Sequence, residues 1–215
     1  MQSQNKKTRI GVTGGIASGK TFATNYFRSL GYPVFYADIL ATQLMIRNPE
    51  IKSQIVKEFG AESYLDGRLN KEYLASRVFS FPEEIKKLNA IVHPAVIARS
   101  AELMTMALEY DDVVFYEAAL VFESGMTNRF DYILLITADR DIRLKRAVAR
   151  GGLSEKDVTD RMANQISEDE KIRLSHFVIV NDQTEHEFID KLQKFVDIIE
   201  KDKTGDISSF PYFIQ

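Results

Sequence analysis

Eight residues near the beginning of the chain constrain its fold more than any other feature. They fit the phosphate-binding pattern G-x-x-x-x-G-K-[ST] and read Gly14-Gly15-Ile16-Ala17-Ser18-Gly19-Lys20-Thr21. A strand-like run at 8–13 comes directly before them, and residues 22–30 carry apolar side chains at the spacing of one helix face. The pattern requires a strand before it and a helix after it, so its context here supports a phosphate-binding loop.

The residue types of this loop have a chemical reason. Glycines allow consecutive backbone N–H groups to surround a phosphate, and the following helix adds the partial positive charge of its N-terminus. The Lys20 ammonium can reach the β- and γ-phosphates of a nucleotide, and the Thr21 hydroxyl can bind Mg²⁺. We therefore predict that residues 14–21 bind a nucleoside triphosphate and that Thr21 contributes to a metal site.

Composition excludes several function classes. The chain has 215 residues and a net charge of −3, which argues against a general nucleic-acid or membrane-surface binder. It contains no cysteine, so disulfides, thiolate metal sites and a catalytic thiol are excluded. Residues 1–7 lead into a strand rather than an apolar signal core, and no apolar stretch is long enough to cross a bilayer. We expect a cytoplasmic protein that binds neither nucleic acid nor membranes.

Strand-like and helix-like segments alternate, which predicts an α/β fold with a parallel sheet. Five segments are short, apolar or β-branched, and free of polar alternation, as buried parallel strands tend to be. They lie at 10–13, 34–36, 113–117, 132–136 and 177–180. We therefore expect a three-layer fold built around a five-stranded parallel sheet.

The uneven spacing of these strands predicts how the chain is divided. The interval between the second and third strands is too long for one crossover helix and is rich in helix-forming residues, so 49–110 is predicted to be a helical substrate-binding subdomain. Within it Pro94 should kink or start a segment. The arginine-rich interval 139–175 is predicted to be a lid. The remaining parts are a nucleotide-binding core and a C-terminal tail that packs on the body or frays: 1–48, 111–138 and 176–200, and then 201–215.

Three carboxylates stand at the ends of predicted strands or just beyond them. Asp38 follows the second strand and opens a helix, where it is either an N-cap or a carboxylate that accepts the proton of an attacking hydroxyl. Glu117 ends the third strand, a position at which phosphate-loop proteins often place a carboxylate near the metal. Glu123 follows shortly after. The last two are either functional or solvated and paired loop carboxylates.

Basic residues of the predicted lid could offset the charge of a transferring phosphoryl group. They are Arg143, Arg146, Arg150, Arg161 and Arg173. Many helix arginines are instead solvated or paired with nearby acids. Arg146 and Arg150 lie one turn apart and share a helix face. His93 stands alone in the helical insert, where a structural role is the alternative to a binding one, and the three histidines lack the spacing of a zinc site.

A series of collinear motifs resembles the dephospho-coenzyme A kinase family. The motifs follow the phosphate loop in order as Tyr36-Ala37-Asp38, Asp66-Gly67-Arg68-Leu69, Leu88-Asn89-Ala90-Ile91-Val92-His93-Pro94, Ala119-Leu120-Val121-Phe122-Glu123 and Leu144-Lys145-Arg146…Arg150…Arg161…Gln165. The resemblance runs from about residue 9 to about residue 200. The chain departs from the family pattern at Tyr36, where the family usually has Asp, and at Ala119, where it usually has Pro.

The resemblance implies ATP-dependent phosphorylation of the ribose 3′-hydroxyl of dephospho-coenzyme A, the last step of coenzyme A synthesis. It implies ATP and Mg²⁺ as cofactors, Lys20, Asp38 and Arg146 as catalytic residues, and a monomer or weak homo-oligomer. The remaining expected contacts are with nucleotide (Arg146, Arg150 and Asn181), with substrate (Asp38, His93, Arg99 and Glu123) and with metal (Thr21 and Glu117).

Three other functions stay open at this point. They are another small-molecule kinase such as one for nucleoside monophosphates, a nucleotide-dependent switch and an inactive binding module.

Overall fold

Strands and helices alternate along most of the chain in the computed structural model, which describes residues 6–78, 81–201 and 211–215. In chain order the strands are β1 (Thr8–Thr13), β2 (Val34–Tyr36), β3 (Tyr64–Leu65), β4 (Arg68–Leu69), β5 (Val113–Glu117), β6 (Tyr132–Thr137), β7 (Phe177–Val180) and β8 (Tyr212–Ile214). The helices are α1 (Lys20–Ser29), α2 (Ala37–Arg47), α3 (Pro49–Phe59), α4 (Lys71–Val78), α5 (Pro82–Ala107), α6 (Arg140–Ala149), α7 (Glu155–Ala163), α8 (Glu168–Leu174) and α9 (Glu185–Lys201).

The main sheet confirms the predicted parallel α/β architecture but has six strands rather than five. Their order is β2-β5-β1-β6-β7-β8, and the pairs β1–β5, β1–β6, β6–β7 and β7–β8 are parallel. The extra strand, β8, aligns Tyr212 with Phe177 and Ile214 with Ile179. Its three residues are two exposed aromatic residues and one buried isoleucine. This run is too short for hydrophobic periodicity to identify it as a strand. The predicted tail therefore pairs with the sheet at β8, while 202–210 lie outside the described residues.

One face of the sheet is covered by α1 and α9. Phe27 of α1 stacks on Phe115 of β5, with ring centroids 4.3 Å apart, and Phe195 of α9 meets Phe177 edge-on at 5.1 Å. Offset-stacked and edge-on pairs of this kind add to the free energy gained by burying the rings. All four rings are almost completely buried. This packing fixes α1, and with it the loop that precedes α1, against the carboxyl ends of the central strands.

The chain forms two compact units, one made of Met1–Phe35 with Ala107–Gln215 and the other of Tyr36–Met106. The predicted lid, 139–175, belongs to the first unit and contains α6, α7 and α8. The second unit starts before the predicted boundary at residue 49 because α2 packs against α3 and β4. None of the described helices is long and apolar enough to cross a membrane.

The second unit is mostly helical, as the composition of the interval indicates, but it also contains the small antiparallel hairpin β3–β4. Asn48 caps α3 by accepting hydrogen bonds from the N–H groups of Glu50 and Ile51, at 2.9 and 3.1 Å. The Tyr64 hydroxyl donates to the Met45 carbonyl at 2.7 Å and ties the hairpin to α2. Pro94 lies inside α5, which runs through it as one helix, so it starts no new segment.

His176, the residue directly before β7, is hydrogen-bonded to β6. Its half-buried ring accepts a hydrogen bond at Nδ1 from the Ile133 N–H, 3.0 Å away, and lies edge-on to Tyr132. Burial lowers the pKa of His176 below its ordinary value. A protonated ring would carry a hydrogen on Nδ1, facing the Ile133 N–H, so the fold requires the neutral form.

We predict that the free energy of unfolding falls as the pH is lowered from 7 to 5. Over this range the unfolded chain takes up a proton at residue 176 more readily than the folded chain does. His176→Asn keeps an acceptor near the Nδ1 position but cannot titrate, so its stability should depend less steeply on pH. Burial also lowers the pKa of His93, so part of the slope should remain.

Urea unfolding at several pH values measures these slopes. The exposed residue His186 provides the control, and His186→Asn should keep the wild-type slope. Equal slopes in wild type and His176→Asn would contradict the assignment.

Candidate active site

The phosphate-binding pattern forms the connection between β1 and α1. Gly19 is the N-cap of α1, with φ 107 and ψ 13, a left-handed conformation that glycine adopts most readily. A Cβ added at Gly19 would also lie 2.5 Å from Nδ2 of Asn181. The first turn of α1 has no acidic residue, and its N-cap makes no side-chain hydrogen bond. This helix end is therefore suited to an anion.

Lys20 lies over the loop that precedes it. Its ammonium donates hydrogen bonds to the carbonyl oxygens of Gly14 and Gly15, at 2.8 and 2.9 Å. The side chain thus points back across the loop instead of away from the protein. This places a positive charge beside the backbone that the sequence predicts to surround phosphate.

Thr21 and Glu117, the two predicted metal residues, are brought together. The Thr21 hydroxyl donates to Oε1 of Glu117 at 3.0 Å, and the Thr24 hydroxyl donates to Oε2 at 2.8 Å. Glu117 is the last residue of β5, which neighbours β1 in the sheet, so both residues stand at the carboxyl edge. Thr24 is not among the predicted site residues, although its position one helical turn after Thr21 places it on the same face of α1.

Asn181 directly follows β7 and connects three parts of the site. Its buried side-chain amide donates to the Ser18 carbonyl at 2.9 Å, and its backbone N–H donates to the Thr137 carbonyl at 2.7 Å. Its own carbonyl accepts from Nη1 of Arg146 at 2.8 Å. Asn181 therefore supports the phosphate loop through its side chain, and its backbone carbonyl fixes the Arg146 guanidinium.

A buried charge network lies against the other end of the loop. Arg143 of α6 donates from Nε to the Ala138 carbonyl at 2.9 Å, and its Nη1 lies 3.6 Å from Oε1 of Glu168. The same Oε1 accepts from Nζ of Lys171 at 2.7 Å, and Oε2 accepts from the Thr137 hydroxyl. Arg143 and Lys171 are only 5% and 2% exposed.

Glu168 carries its charge at neutral pH because of these partners. Burial alone would raise the pKa of its carboxyl, but the hydrogen bonds from Lys171 and Thr137, with the charges of Lys171 and Arg143, outweigh burial and lower it. Arg143 is one of the five predicted lid arginines, whereas Glu168 and Lys171 are not among the predicted site residues. A Glu and a Lys three residues apart are ordinary on a helix surface, so no sequence signal marks this pair as buried.

Asp38 lies in the first turn of α2, and its side chain is exposed. The N-cap of α2 is Tyr36, which makes no side-chain hydrogen bond to the helix. The interpretation of Asp38 as an N-cap is therefore wrong, because the helix begins two residues earlier than that interpretation requires. Its carboxylate still lies where it interacts favourably with the partial positive charge of the helix N-terminus.

The other predicted contact residues are spread over both units. In the first, Arg150 is exposed at the C-cap of α6, and exposed Glu123 accepts at Oε1 from the Ile166 N–H, 3.2 Å away. In the second, His93 is half-buried within α5, and Arg99 pairs with Glu102 on the surface of the same helix at 2.8 Å. The substrate and nucleotide roles of all four stay predictions.

The sequence of the chain matches one family over most of its length. Residues 8–187 fit the family described as Dephospho-CoA kinase. A dephospho-CoA kinase of Salinibacter ruber is 39% identical over 179 residues, which cover 82% of this chain and 90% of the relative. A dephospho-CoA kinase of Bacillus cereus is 37% identical over 177 residues, which cover 81% and 88%. The chain belongs to the dephospho-CoA kinase family.

Solved structures agree with this membership. Dephospho-CoA kinase from Campylobacter jejuni superposes with a TM-score of 0.71 at 27% identity, covering 92% of this chain and all of that one. The protein TT1252 from Thermus thermophilus gives a TM-score of 0.76 at 35% identity, covering 90% and 98%. A shikimate kinase from Acinetobacter baumannii, at 13% identity and a TM-score of 0.53, shares the fold. Like its family, the chain is a kinase with a phosphate-loop fold.

The support that Asn181 gives the loop can be measured as stability. Asn181→Ala leaves the buried Ser18 carbonyl without its donor, so we predict that the free energy of unfolding falls by about 1–3 kcal/mol. Urea unfolding measures the loss. Asn128→Ala, a truncation of an exposed asparagine in the same unit, is the matched control and should cost much less. Equal losses in the two variants would contradict the role of Asn181.

Proposed function

We propose that this chain catalyses ATP-dependent phosphorylation of the ribose 3′-hydroxyl of dephospho-coenzyme A, giving coenzyme A and ADP in the final step of coenzyme A biosynthesis. The observation that carries the proposal is the loop geometry in a member of this family. The Lys20 ammonium lies over a phosphate-binding loop, and a hydroxyl–carboxylate pair stands beside it. Phosphoryl transfer depends mainly on positioning and on charge stabilisation, which these groups supply.

Thr21 and Glu117 are proposed to hold Mg²⁺. Their oxygens lie 3.0 Å apart at the edge of the sheet, and hydroxyl and carboxylate oxygens are the hard ligands that Mg²⁺ prefers. No group of three or more acidic or histidine side chains suited to a metal occurs among the described residues. This fits an ion bound by one or two protein oxygens together with phosphate oxygens. When bound, Mg²⁺ would neutralise charge on the β- and γ-phosphates.

The loop and Lys20 are proposed to bind the nucleotide phosphates. The backbone N–H groups at the start of α1 offer donors to the phosphate oxygens, and Lys20 exchanges its two carbonyl acceptors for phosphate oxygens. In this exchange the ammonium moves only from the Gly14 and Gly15 carbonyls to the phosphate that the same loop would surround. The charge is therefore already close to where negative charge develops during transfer, so little reorganisation is needed.

Asp38 is proposed to orient the 3′-hydroxyl of the acceptor and to accept its proton. Its exposed carboxylate follows β2, at the strand end where open α/β folds bind ligands. The proton moves from the hydroxyl oxygen to a carboxylate oxygen as that hydroxyl oxygen forms its bond to the γ-phosphorus and ADP leaves.

Residues of the lid and the helical unit complete the proposal. Arg146 and Arg150 would offset charge on the γ-phosphoryl group and exclude water when the lid closes. Arg146 is already anchored near the loop through the Asn181 carbonyl. His93, Arg99 and Glu123 are the proposed contacts to dephospho-coenzyme A, and Asn181 is a proposed contact to the nucleotide.

Lys20→Ala tests the loop assignment. Removing one preorganised charge should lower the rate of phosphoryl transfer roughly 10²–10³-fold. The Gly14 and Gly15 carbonyls also lose their donor, so a loss of stability of about 1–3 kcal/mol for each is expected, and the rate is measured at a temperature at which the variant is fully folded. A coupled assay of ADP release with dephospho-coenzyme A measures the rate. Lys156→Ala removes an exposed lysine that pairs with Asp160 within α7, and it should leave the rate unchanged. Near-normal turnover of Lys20→Ala would refute the assignment.

Asp38→Asn tests the acceptor role. Loss of the carboxylate should lower kcat by about 10²–10⁴, with ATP affinity kept because the phosphates are bound elsewhere. Glu50→Gln is the matched control, since Glu50 is also an exposed carboxylate in the first turn of a helix of the same unit. If Asp38 served only the helix dipole, both variants would lose a little stability and neither would lose kcat.

The same assay decides the substrate. With dephospho-coenzyme A as the acceptor, the kcat/KM for ADP release should be much higher than with nucleoside monophosphates tested under identical conditions. A preference for a nucleoside monophosphate would indicate another kinase of this fold. Slow hydrolysis that no acceptor accelerates would indicate a nucleotide-dependent switch.

A further inference from the structure

Gly15 has no room for a side chain, and the reason is Arg143. The φ angle of Gly15 lies outside the left-handed region, so this angle does not by itself require glycine. A Cβ at this position would nevertheless lie 2.0 Å from Nη1 of Arg143 and 3.2 Å from Oε1 of Glu168. The guanidinium therefore occupies the space beside the Gly15 Cα, and the chain needs glycine there for space.

The Arg143 side chain is held in this place from two sides. The Ala138 carbonyl accepts from Nε at 2.9 Å, and Glu168 faces Nη1 at 3.6 Å. Glu168 is itself fixed, because Lys171 and the Thr137 hydroxyl bind its two oxygens. A side chain that is 5% exposed and anchored through a fixed carboxylate has little freedom to move away from the loop.

The network also carries an excess of positive charge. Two buried cations, Arg143 and Lys171, share the single carboxylate of Glu168. Burying a charge without a full counter-charge is costly. An anion bound by the adjacent loop would offset this cost, so the network favours the loop with phosphate bound over the empty loop.

We propose that Arg143, which Glu168 orients against Gly15 of the phosphate loop, is a positioning residue for ATP. The contact fixes Gly15, whose carbonyl accepts a hydrogen bond from the Lys20 ammonium at 2.9 Å. Arg143 therefore influences the position of this phosphate-binding ammonium through the backbone of Gly15. The proposal rests on the proposed function in taking ATP as the ligand of this loop. It assigns the Arg143–Glu168 pair a role in binding ATP that is separate from binding the acceptor.

A double-mutant cycle on Gly15 and Arg143 tests the contact directly. Gly15→Ala, Arg143→Ala and the double variant are compared for equilibrium affinity for MgATP without acceptor, so the result does not depend on the identity of the acceptor. Gly15→Ala should weaken ATP binding on the order of tenfold in the wild-type background, within the usual coupling between contacting residues. In the Arg143→Ala background the added methyl has room, and the further loss should be small. An equal loss in both backgrounds would refute the contact.

A second background and a kinetic comparison guard against simple misfolding. Should Arg143→Ala fail to fold, Glu168→Gln replaces it, because the weakened anchor frees the guanidinium to give way to the added methyl and the cost of Gly15→Ala should again shrink. In the coupled assay, Arg143→Ala should raise KM for ATP while KM for dephospho-coenzyme A stays unchanged. Equal rises in both constants, with a lower melting temperature, would mean a structural role and overturn the proposal.

Lys145→Ala controls for loss of any cation from α6, since Lys145 is exposed on the same helix, and it should leave both KM values unchanged. Wild-type protein that binds ATP but does not phosphorylate dephospho-coenzyme A would refute the proposed function and leave the result of the cycle intact.

Discussion

The phosphate loop is supported by buried polar side chains from later parts of the chain, one of which binds its backbone while the other packs against it. The Asn181 amide supports the Ser18 carbonyl, and the Arg143 guanidinium fills the space beside Gly15. Neither group comes from the loop or from α1. Since loop residues are small and offer few side-chain contacts of their own, the loop needs this external support to present its N–H groups in one arrangement. The positions of Lys20 and Thr21, the two residues that directly follow the loop, depend on that arrangement.

Much of the fold follows from short-range sequence patterns. The buried parallel strands are readable because they are short runs rich in apolar or β-branched residues, as in β6, which is buried along its whole length. The sixth strand, β8, is not readable, because its pairing with β7 depends on a contact to a distant segment. The hairpin β3–β4 carries a readable signal. Asp66 and Gly67 both have positive φ angles, 49 and 77, which is the geometry of the Asp-Gly hairpin turn.

The contacts of the candidate site likewise include some that the sequence predicts and some that it does not. The proximity of Thr21 and Glu117 is predictable, because Glu117 ends β5 and Thr21 lies at the start of the helix that follows β1, and the carboxyl ends of these parallel strands meet at one edge of the sheet. The contact between Gly15 and the Arg143–Glu168 pair is not, because it joins three segments that are far apart in sequence. The cap interpretation of Asp38 fails for a smaller reason. Helix ends are uncertain by one or two residues in any sequence reading, and here a shift of two residues decides whether a carboxylate caps the helix or projects from its first turn.

The distribution of helix caps shows where the fold leaves backbone groups for ligands. Side chains of Asn48, Asp139, Ser154 and Ser167 cap α3, α6, α7 and α8. Among the helices whose N-caps are described, α1 and α2 lack such a bond. A missing side-chain cap costs about 1 kcal/mol of stability, but only roughly a few tenths where glycine is the N-cap, as at α1, so the uncapped end of α2 in particular needs a reason. The end of α1 is the one that the loop pattern assigns to phosphate. The end of α2 carries Asp38 in its first turn, where the helix end favours a negative charge without binding both carboxylate oxygens. An uncapped helix end with one exposed carboxylate leaves that carboxylate able to accept a hydrogen bond from a substrate hydroxyl.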